Sequence, residues 1–417
     1  MLLELGYDKR TESVSIPDER LLGVLVPNEI EVSESSDTLV QQALENPIGS
    51  DRLRAIVKPG EKVCIITSDV TRPLPSSKIL PFVLAELNEA GIPDDDIFIV
   101  FALGAHRPHT KDEMIQLVGQ DVFERVACYD STPDDVVHMG ETKSGTPIDI
   151  TRRVAEADRR IGLANIEYHY FAGYSGGAKC IMPGVSTRQA IAANHRFMVH
   201  PQAVTGNVEM NPVRDDLEEA ISYCPLDFIV NVVLDEKKRI VHAVAGHFIK
   251  AHRAGCEFLD TLYMKPIQEK ADIVIVSQGG YPKDINLYQT QKALDNAKHA
   301  VKDGGIIIVV GSCKEGMGEE VFATWMKEAT SPKDLTDRIK RDFQLGGHKA
   351  AAIALVLDTA EIYLVSDMPA DEVREMFMEP YASLQEAFDA ATEHLPEGRV
   401  LVMPYGGSTL PRYVESE

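Results

Sequence analysis

The sequence has a single tryptophan, Trp325, and six cysteines, none of them in a C-x-x-C pair. Cys64, Cys128, Cys180, Cys224, Cys256 and Cys313 lie far apart in a chain too long to need disulfide staples, so they read as reduced thiols of a cytoplasmic protein. No apolar run reaches the roughly 18 residues of a membrane span. The start, MLLELGYDKR, is apolar but lacks the basic stretch and long apolar core of a secretory signal. No cluster of Lys and Arg relieves a formal charge of -23, which argues against nucleic acid because neutralising phosphates needs a basic face. No repeat of fixed period and no low-complexity tract divides the chain. What remains is a globular composition, 44% hydrophobic over 417 residues, which exceeds the span of one core and predicts two domains. An acidic protein with an anionic ligand must concentrate its few cations inside the cleft, so isolated Arg and Lys in Gly-rich turns carry the interest.

Short β-branched runs alternate with amphipathic helical patterns: Val63 to Ser68, Ile97 to Leu103, Phe228 to Leu234, Ile273 to Ser277, Ile306 to Val310, Ile362 to Val365 and Val400 to Met403. Such alternation predicts an α/β fold, with mainly parallel sheets covered by helices. Ligands of these sheets bind beyond the carboxyl ends of the strands. Five of the runs end in SDVTRP, GAHRPHT, QGGYPKD, GSCKEG and PYGGST. A polar helix around Cys256 to Met264, followed by KPIQEKAD, places a domain boundary near residue 266. The expected division is 1–266 joined by 397–417, and 267–396.

Asp69 and Arg72 fall at a strand's carboxyl end, where a guanidinium can grip a carboxylate by two parallel bonds. Asp, Thr and Pro equally suit a capped helix start. The next turn holds His106, Arg107 and His109, and an imidazole there can act as a base or simply face solvent. The densest segment runs EYHYFAGYSGGAKCIMPG from Glu167 to Gly184. Its glycines, Gly173, Gly176 and Gly177, allow close backbone approach to a phosphate or ring, and Lys179 sits in the same turn, where a desolvated amine becomes nucleophilic. The Walker spacing is absent. Ser186 and Gln189 read as a capping box for a short helix ending near His195, whose imidazole suits a borderline metal or closes the helix dipole. After QGGYPKD, the apolar stripe Leu287, Leu294, Ala297 and Val301 leaves Tyr288 and Lys292 together on the opposite helix face. The loop from Gly346 to Lys349 and the turn from Gly406 to Thr409 are less specific.

This set resembles the lactate racemases and their 2-hydroxyacid racemase and epimerase relatives over essentially the whole chain. The resemblance rests on the D-x-T-R-P turn, the G-x-H-R turn, the H-x-F-A-G-x-S-G-G-A-K stretch with its trailing N-H, and the L-Y-Q-x-x-K-A helix. It implies two α/β domains with the active-site cleft between them and the C-terminal segment rejoining the first. It also implies a nickel-pincer nucleotide, pyridinium-3,5-bisthiocarboxylic acid mononucleotide nickel, bound covalently at Lys179 and loaded by cofactor-synthesis proteins. By the same resemblance His195 ligates nickel, Asp69, Gly176 and Gly177 hold the nucleotide, and Phe171 packs in the site. His106 and His169 become the acid-base pair, with Arg72, Tyr288, Gln289 and Lys292 binding substrate.

The chemistry agrees with those roles. The hydrogen on a hydroxy-acid carbon is too weakly acidic for two imidazoles alone, whereas hydride transfer to a cationic ring, with the hydroxyl proton taken by a base, is easier. Where a tryptophan is expected beside the substrate, His348 stands, followed by Lys349, which suits a larger or more polar hydroxy acid. Two other readings stand beside this one. A phosphate-handling transferase or hydrolase needs an acidic metal set, of which Asp69 alone is well placed. A non-catalytic nickel or nucleotide carrier needs Lys179 and His195 but not His106, His169, Arg72 and Lys292 with them.

Overall fold

The structure, a computed structural model, describes residues 1–28 and 34–414. The chain forms two compact α/β units. One is Ile30–Asp260; the other combines both ends, Met1–Glu29 and Thr261–Glu417. All seven runs expected to be strands are strands.

In the unit Ile30–Asp260 six strands lie in the order Ile240–Gly246, Phe228–Leu234, Arg159–Ile166, Val63–Ser68, Ile97–Ala102, Ala127–Asp130. All neighbours are parallel except the edge strand Ile240–Gly246. Every residue of Phe228–Leu234 is buried, so this strand shows no polar alternation, as expected of a sheet covered on both faces. One covering helix, Ser76–Glu89, turns Ile79, Leu80, Val83, Leu84 and Leu87 inward at helical spacing. The chain begins the sheet at Val63–Ser68, builds outward through Ile97–Ala102, then returns to add Arg159–Ile166 on the other side. The reversal opens a crevice at the carboxyl ends of Val63–Ser68 and Arg159–Ile166, the topological switch point where α/β sheets bind ligands.

Arg159–Ile166 escaped the sequence reading because it opens with two arginines and carries a glycine. The structure explains Gly162. A Cβ there would lie 2.6 Å from Cys180 Sγ and 3.4 Å from Leu226 Cδ1, so only glycine lets the turn bearing Lys179 lie flat on the sheet.

The other unit has the order Glu379–Tyr381, Ala360–Val365, Val301–Val310, Ala271–Ser277, Val400–Met403, Leu21–Val24, all parallel. Here the expected division of the chain is corrected. The segment 397–417 does not rejoin the first domain, because Val400–Met403 pairs along Ala271–Ser277 and receives Leu21–Val24 on its far side. Both chain ends belong to this unit, and its second crossing falls at Asp260 and Thr261 rather than near 266. The hairpin Leu2–Tyr7 and Arg10–Ser15 adds Leu5, Tyr7, Val14 and Ile16 to a core containing Ile273, Ile308 and Val402. Val301, expected on the helix after QGGYPKD, begins the strand Val301–Val310 instead, and the helix is Leu287–Ala297. Among the described residues no helix is long and apolar enough to cross a membrane. All six cysteines are unpaired.

The contact at Gly162 yields a stability test. Gly162→Ala should destabilise the protein by about 1–3 kcal/mol through overpacking. Cys180→Ala added to it should recover part of that loss, as a non-additive double-mutant cycle in urea unfolding. Simple additivity of the two changes would show that the turn can shift to make room.

Candidate active site

Turns after Val63–Ser68, Ile97–Ala102 and Arg159–Ile166 in the unit Ile30–Asp260 carry Asp69 and Arg72, His106, and His169, Phe171 and Lys179, and the helix Arg188–His195 adds His195. The first two are locked together. Asp69, 3% exposed, accepts from His106 Nδ1 at 2.8 Å and from Thr71 Oγ1 at 2.9 and 3.0 Å. Burial alone would raise its carboxyl, but the bonds from His106 and Thr71 and the charge of Arg72 outweigh it and hold the group below the usual carboxylate range. An ionised acceptor obliges His106 to donate through Nδ1, so in the neutral ring the lone pair is on Nε2. His109 serves the scaffold. Its Nε2 accepts from Val70 N at 3.0 Å and its Nδ1 donates to Asp130 at 2.6 Å, tying one turn to the other. Thr110 and Glu113 form a capping box for the following helix, Lys111–Val118.

The third turn is held from outside by buried side chains. Asn211 Nδ2 donates to Phe171 O at 2.9 Å, and Arg214, fully buried, donates to Ala172 O at 3.0 Å and to Tyr174 O. His252 Nε2 donates to Ser175 O at 2.7 Å, and Asn231 Oδ1 accepts from Gly177 N at 2.9 Å. Gly176 and Gly177 have φ of 79° and 60°. A Cβ on Gly177 would meet the His252 ring at 3.0 Å, so packing within the protein already requires these glycines. None of these four supporting residues was evident in the sequence. The only local signal was Asn211-Pro212, a helix cap with proline in the first turn, which places Arg214 on the helix Pro212–Glu219.

On this frame the Phe171 ring, 2% exposed, stands edge-on between His169 and His195, at 4.5 and 4.8 Å between ring centres. His169 Nδ1 accepts from Ala172 N at 3.2 Å. Burial first, then the charges of Lys179, His195, Arg72 and Arg214, hold its pKa well below that of a free imidazole, so it rests neutral with its proton on Nε2. Lys179 is likewise depressed well below an ordinary lysine, by burial and then by Arg214 and Arg72. Arg72 lies 3.9 Å from Glu167 and stays half-exposed. His195 ends the helix Arg188–His195, whose cap is Thr187, accepting from Ala190 N at 3.3 Å. The expected cap, Ser186, bonds to Pro183 O instead, because the helix starts one residue later.

The other expected substrate residues lie in the second unit. Its sheet reverses between Ala271–Ser277 and Val400–Met403, and the helix Leu287–Ala297 follows the first of these strands. Tyr288 and Gln289 are half-buried and Lys292 is exposed, opposite buried Leu287, Leu294 and Ala297. The expected loop from Gly346 to Lys349 is the start of a helix, Gly347–Leu357, for which Gly346 supplies a φ of 96°. His348 is buried, its ring 6.5 Å from that of Tyr288, and burial followed by the charge of Lys349 pushes its pKa down to about 3. Lys349, 5% exposed, donates to Tyr288 O at 2.6 Å and sits 4.3 Å from the centre of the Tyr288 ring. Trp325 is fully buried against Gly347 and serves the core.

The depressed imidazoles have a measurable consequence. His169 and His252 bind a proton in the unfolded chain below about pH 6.5 and resist it when folded, so folding expels protons there and stability falls as pH drops below that value. Urea unfolding midpoints should decline from pH 6.5 to 5. His252→Gln, whose amide can still donate to Ser175 O, should flatten the decline; an unchanged slope in this variant would remove His252 as a source.

Known proteins resemble this chain in sequence and fold. The lactate racemase N-terminal domain family matches residues 7–206, and the lactate racemase C-terminal domain family matches residues 267–410. A lactate racemase of Thermoanaerobacterium thermosaccharolyticum is 38% identical, covering 98% of this chain and 99% of its own length. That of Lactiplantibacillus plantarum is 37% identical over 97% and 98%. The solved structure of the lactate racemase apoprotein from T. thermosaccharolyticum superposes with a TM-score of 0.90 at 36% identity, over 99% of this chain and all of that one. A Thermotoga maritima crystal structure shares the fold at a TM-score of 0.62 and 18% identity. With family matches in both halves and relatives of this identity along its whole length, the chain belongs to the lactate racemase family.

Proposed function

We propose that the chain inverts a 2-hydroxy acid, with His106 and His169 as its acid-base residues and a nickel-pincer nucleotide tethered through Lys179. The observation that carries the reading is the gathering of a neutral-held amine, two imidazoles and a carboxylate-oriented base around one switch-point crevice. The donor set fits the group. Lys179, held neutral by burial and by Arg214, has the lone pair that covalent attachment needs. His195 donates through Nδ1 to Asn194 Oδ1 at 2.8 Å, so Nε2 is the nitrogen for a borderline metal. Among the described residues no three His, Cys, Asp or Glu side chains converge on a metal site, and a metal on His195 must bring its other ligands with it. Asn231 Nδ2 is buried without a hydrogen-bond partner beside Gly177, a donor available to a polar group of the nucleotide.

When bound, this group supplies a cationic ring that takes up and returns hydride. The protein's own part is proton handling and grip. His106, its Nδ1 proton fixed by Asp69, takes the hydroxyl proton at Nε2 as the hydroxy carbon is oxidised, and returns it on reduction. His169 rests as an Nε2 donor; to act as base it must give up the bond from Ala172 N and carry its proton on Nδ1. Arg72 binds the carboxylate, Asp69 and the backbone of Gly176 and Gly177 hold the nucleotide portion, and Phe171 fixes the spacing of His169 and His195. Tyr288, Gln289, Lys292 and His348 bind substrate. Lys349 extends this reading. A buried amine held well below the usual lysine range by burial and by the charge of Lys292, and bonded to a carbonyl, takes up its proton when an anion lies beside it, which favours hydroxy acids that carry a polar or anionic group beyond their carboxylate.

Substrate deuterated at the hydroxy carbon should keep its label in the inverted product; solvent hydrogen at that carbon would overturn hydride transfer. His106→Ala and His169→Ala should each cut turnover by roughly 10²-fold or more. Because two enantiomers are equal in energy, kcat/KM must fall equally in both directions. Intact mass of the loaded protein should show an adduct absent from Lys179→Ala, and an unmodified, fully active protein would rule out the tether.

Substrate range gives a separate readout. Lys349→Met should lower kcat/KM for a 2-hydroxy diacid by about 10-fold or more while sparing lactate, a loss of roughly 1.4 kcal/mol in discrimination. Equal losses on both substrates would show that Lys349 only supports the helix.

A further inference from the structure

Asn194 is fully buried between His195 and the helix Pro212–Glu219. Its amide nitrogen donates to Val213 O at 3.1 Å and to Asp216 Oδ2 at 2.8 Å. A carbonyl can only accept, so the nitrogen must face the helix and the amide oxygen must face the other way. That oxygen lies 2.8 Å from His195 Nδ1, which therefore has to donate. Asp216, 2% exposed, is fixed in its turn. Thr142 Oγ1 donates to Oδ1 at 2.5 Å and Thr146 Oγ1 donates to Oδ2 at 2.7 Å. Thr142 Oγ1 itself accepts from Thr146 N at 3.1 Å, so its hydroxyl proton is committed to Asp216. Each donor and acceptor in this chain has one possible direction. The direction ends at the imidazole.

We propose that Asn194, oriented by Asp216 with Thr142 and Thr146, is a positioning residue that holds His195 in its Nδ1–H tautomer and so reserves Nε2 for the metal. The proposal rests on the reading of His195 as the metal ligand. A neutral imidazole otherwise exchanges its proton between two nitrogens, and the partner of the non-ligating nitrogen decides which one is left to bind. A carboxylate in direct contact would also accept from Nδ1, but it would put a charge beside the metal. Here the amide passes on only the direction of the bond, with the charge of Asp216 one residue further back.

The tautomer can be read without the cofactor. In protein labelled with 15N-histidine, two-bond 1H–15N correlations should show His195 protonated at Nδ1. Asp216→Asn keeps the shape but leaves the Asn194 amide oriented by Val213 O alone, and should move the His195 proton only in part towards Nε2; Asn194→Ala removes the amide and should move it to Nε2 or to an even mixture. In loaded protein, the same variants should retain nickel about 10- to 100-fold less well against a chelator, the usual cost of losing such a partner. His195 protonated at Nε2 in the unaltered protein would overturn the proposal, as would variants with unchanged tautomer and nickel retention. Where Asn194→Ala fails to fold, Thr146→Val, which removes one donor to Asp216, should give a smaller shift of the same sign. Failure of the ligand reading looks different: His195→Ala would keep stoichiometric nickel while the tautomer result stood.

Discussion

Arg214 brings a guanidinium to a place with no solvent exposure, against the carbonyls of Ala172 and Tyr174. The closest carboxylate oxygen, on Glu218, is 3.8 Å away, so hydrogen bonds to neutral carbonyls do most of the compensating. Burial accordingly pushes even this strong base down to about 10. Two consequences follow from the one side chain. It bends the backbone between Phe171 and Ser175 into the shape that sets His169 and Lys179 above the sheet, and its charge opposes a proton on either of them. Geometry and protonation state are therefore linked here. A substitution at 214 cannot disturb one without the other.

The two units solve the same problem in the same way. Each sheet holds one reversal of strand order, between Val63–Ser68 and Arg159–Ile166 in one and between Ala271–Ser277 and Val400–Met403 in the other, and the candidate site residues follow strands at or beside it. Asp69 and Arg72 follow Val63–Ser68, and His169 and Lys179 follow Arg159–Ile166. Tyr288, Gln289 and Lys292 follow Ala271–Ser277. Side chains at such ends are released from the in-and-out alternation of the strands, whose two faces are committed to the cores. That freedom is what lets polar residues collect there in an otherwise apolar layer.

Much of this was legible in residue order. Strand ends are marked by an abrupt change from β-branched residues to glycine and polar groups, which is why Asp69, His106 and Tyr288 could be picked out one by one. The supports could not. Asp216, Arg214 and His252 act across 40 residues or more of chain, Asn194 reaches 22 residues to Asp216, and a buried Arg on a helix has the same local sequence as an exposed one. Arg159–Ile166 was missed for a related reason: its glycine is demanded by a contact with Cys180, which no periodicity records. The division of the chain failed because strand pairing between residue 24 and residue 402 leaves no trace near either. The family resemblance supplied roles for Lys179 and His195; it did not supply the hydrogen bonds that make those roles chemically reasonable.

The pairing of Leu21–Val24 with Val400–Met403 also sets an order of events during synthesis. The first 28 residues leave the ribosome carrying Leu5, Tyr7, Val14 and Ile16, but the apolar surface that receives them includes Ile273, Ile308 and Val402. At roughly 5–20 residues per second, the nascent strand waits on the order of tens of seconds for its neighbour. The unit Ile30–Asp260 emerges whole in that interval and can fold on its own contacts. The strand Leu21–Val24 has no neighbour while it does so, an exposed edge on a growing chain, and the hairpin before it can pair with itself but not yet pack on its core. A strand of four residues, with the charges of Arg10, Glu12 and Asp18 in the segment before it, is the kind of edge that disfavours pairing with another chain.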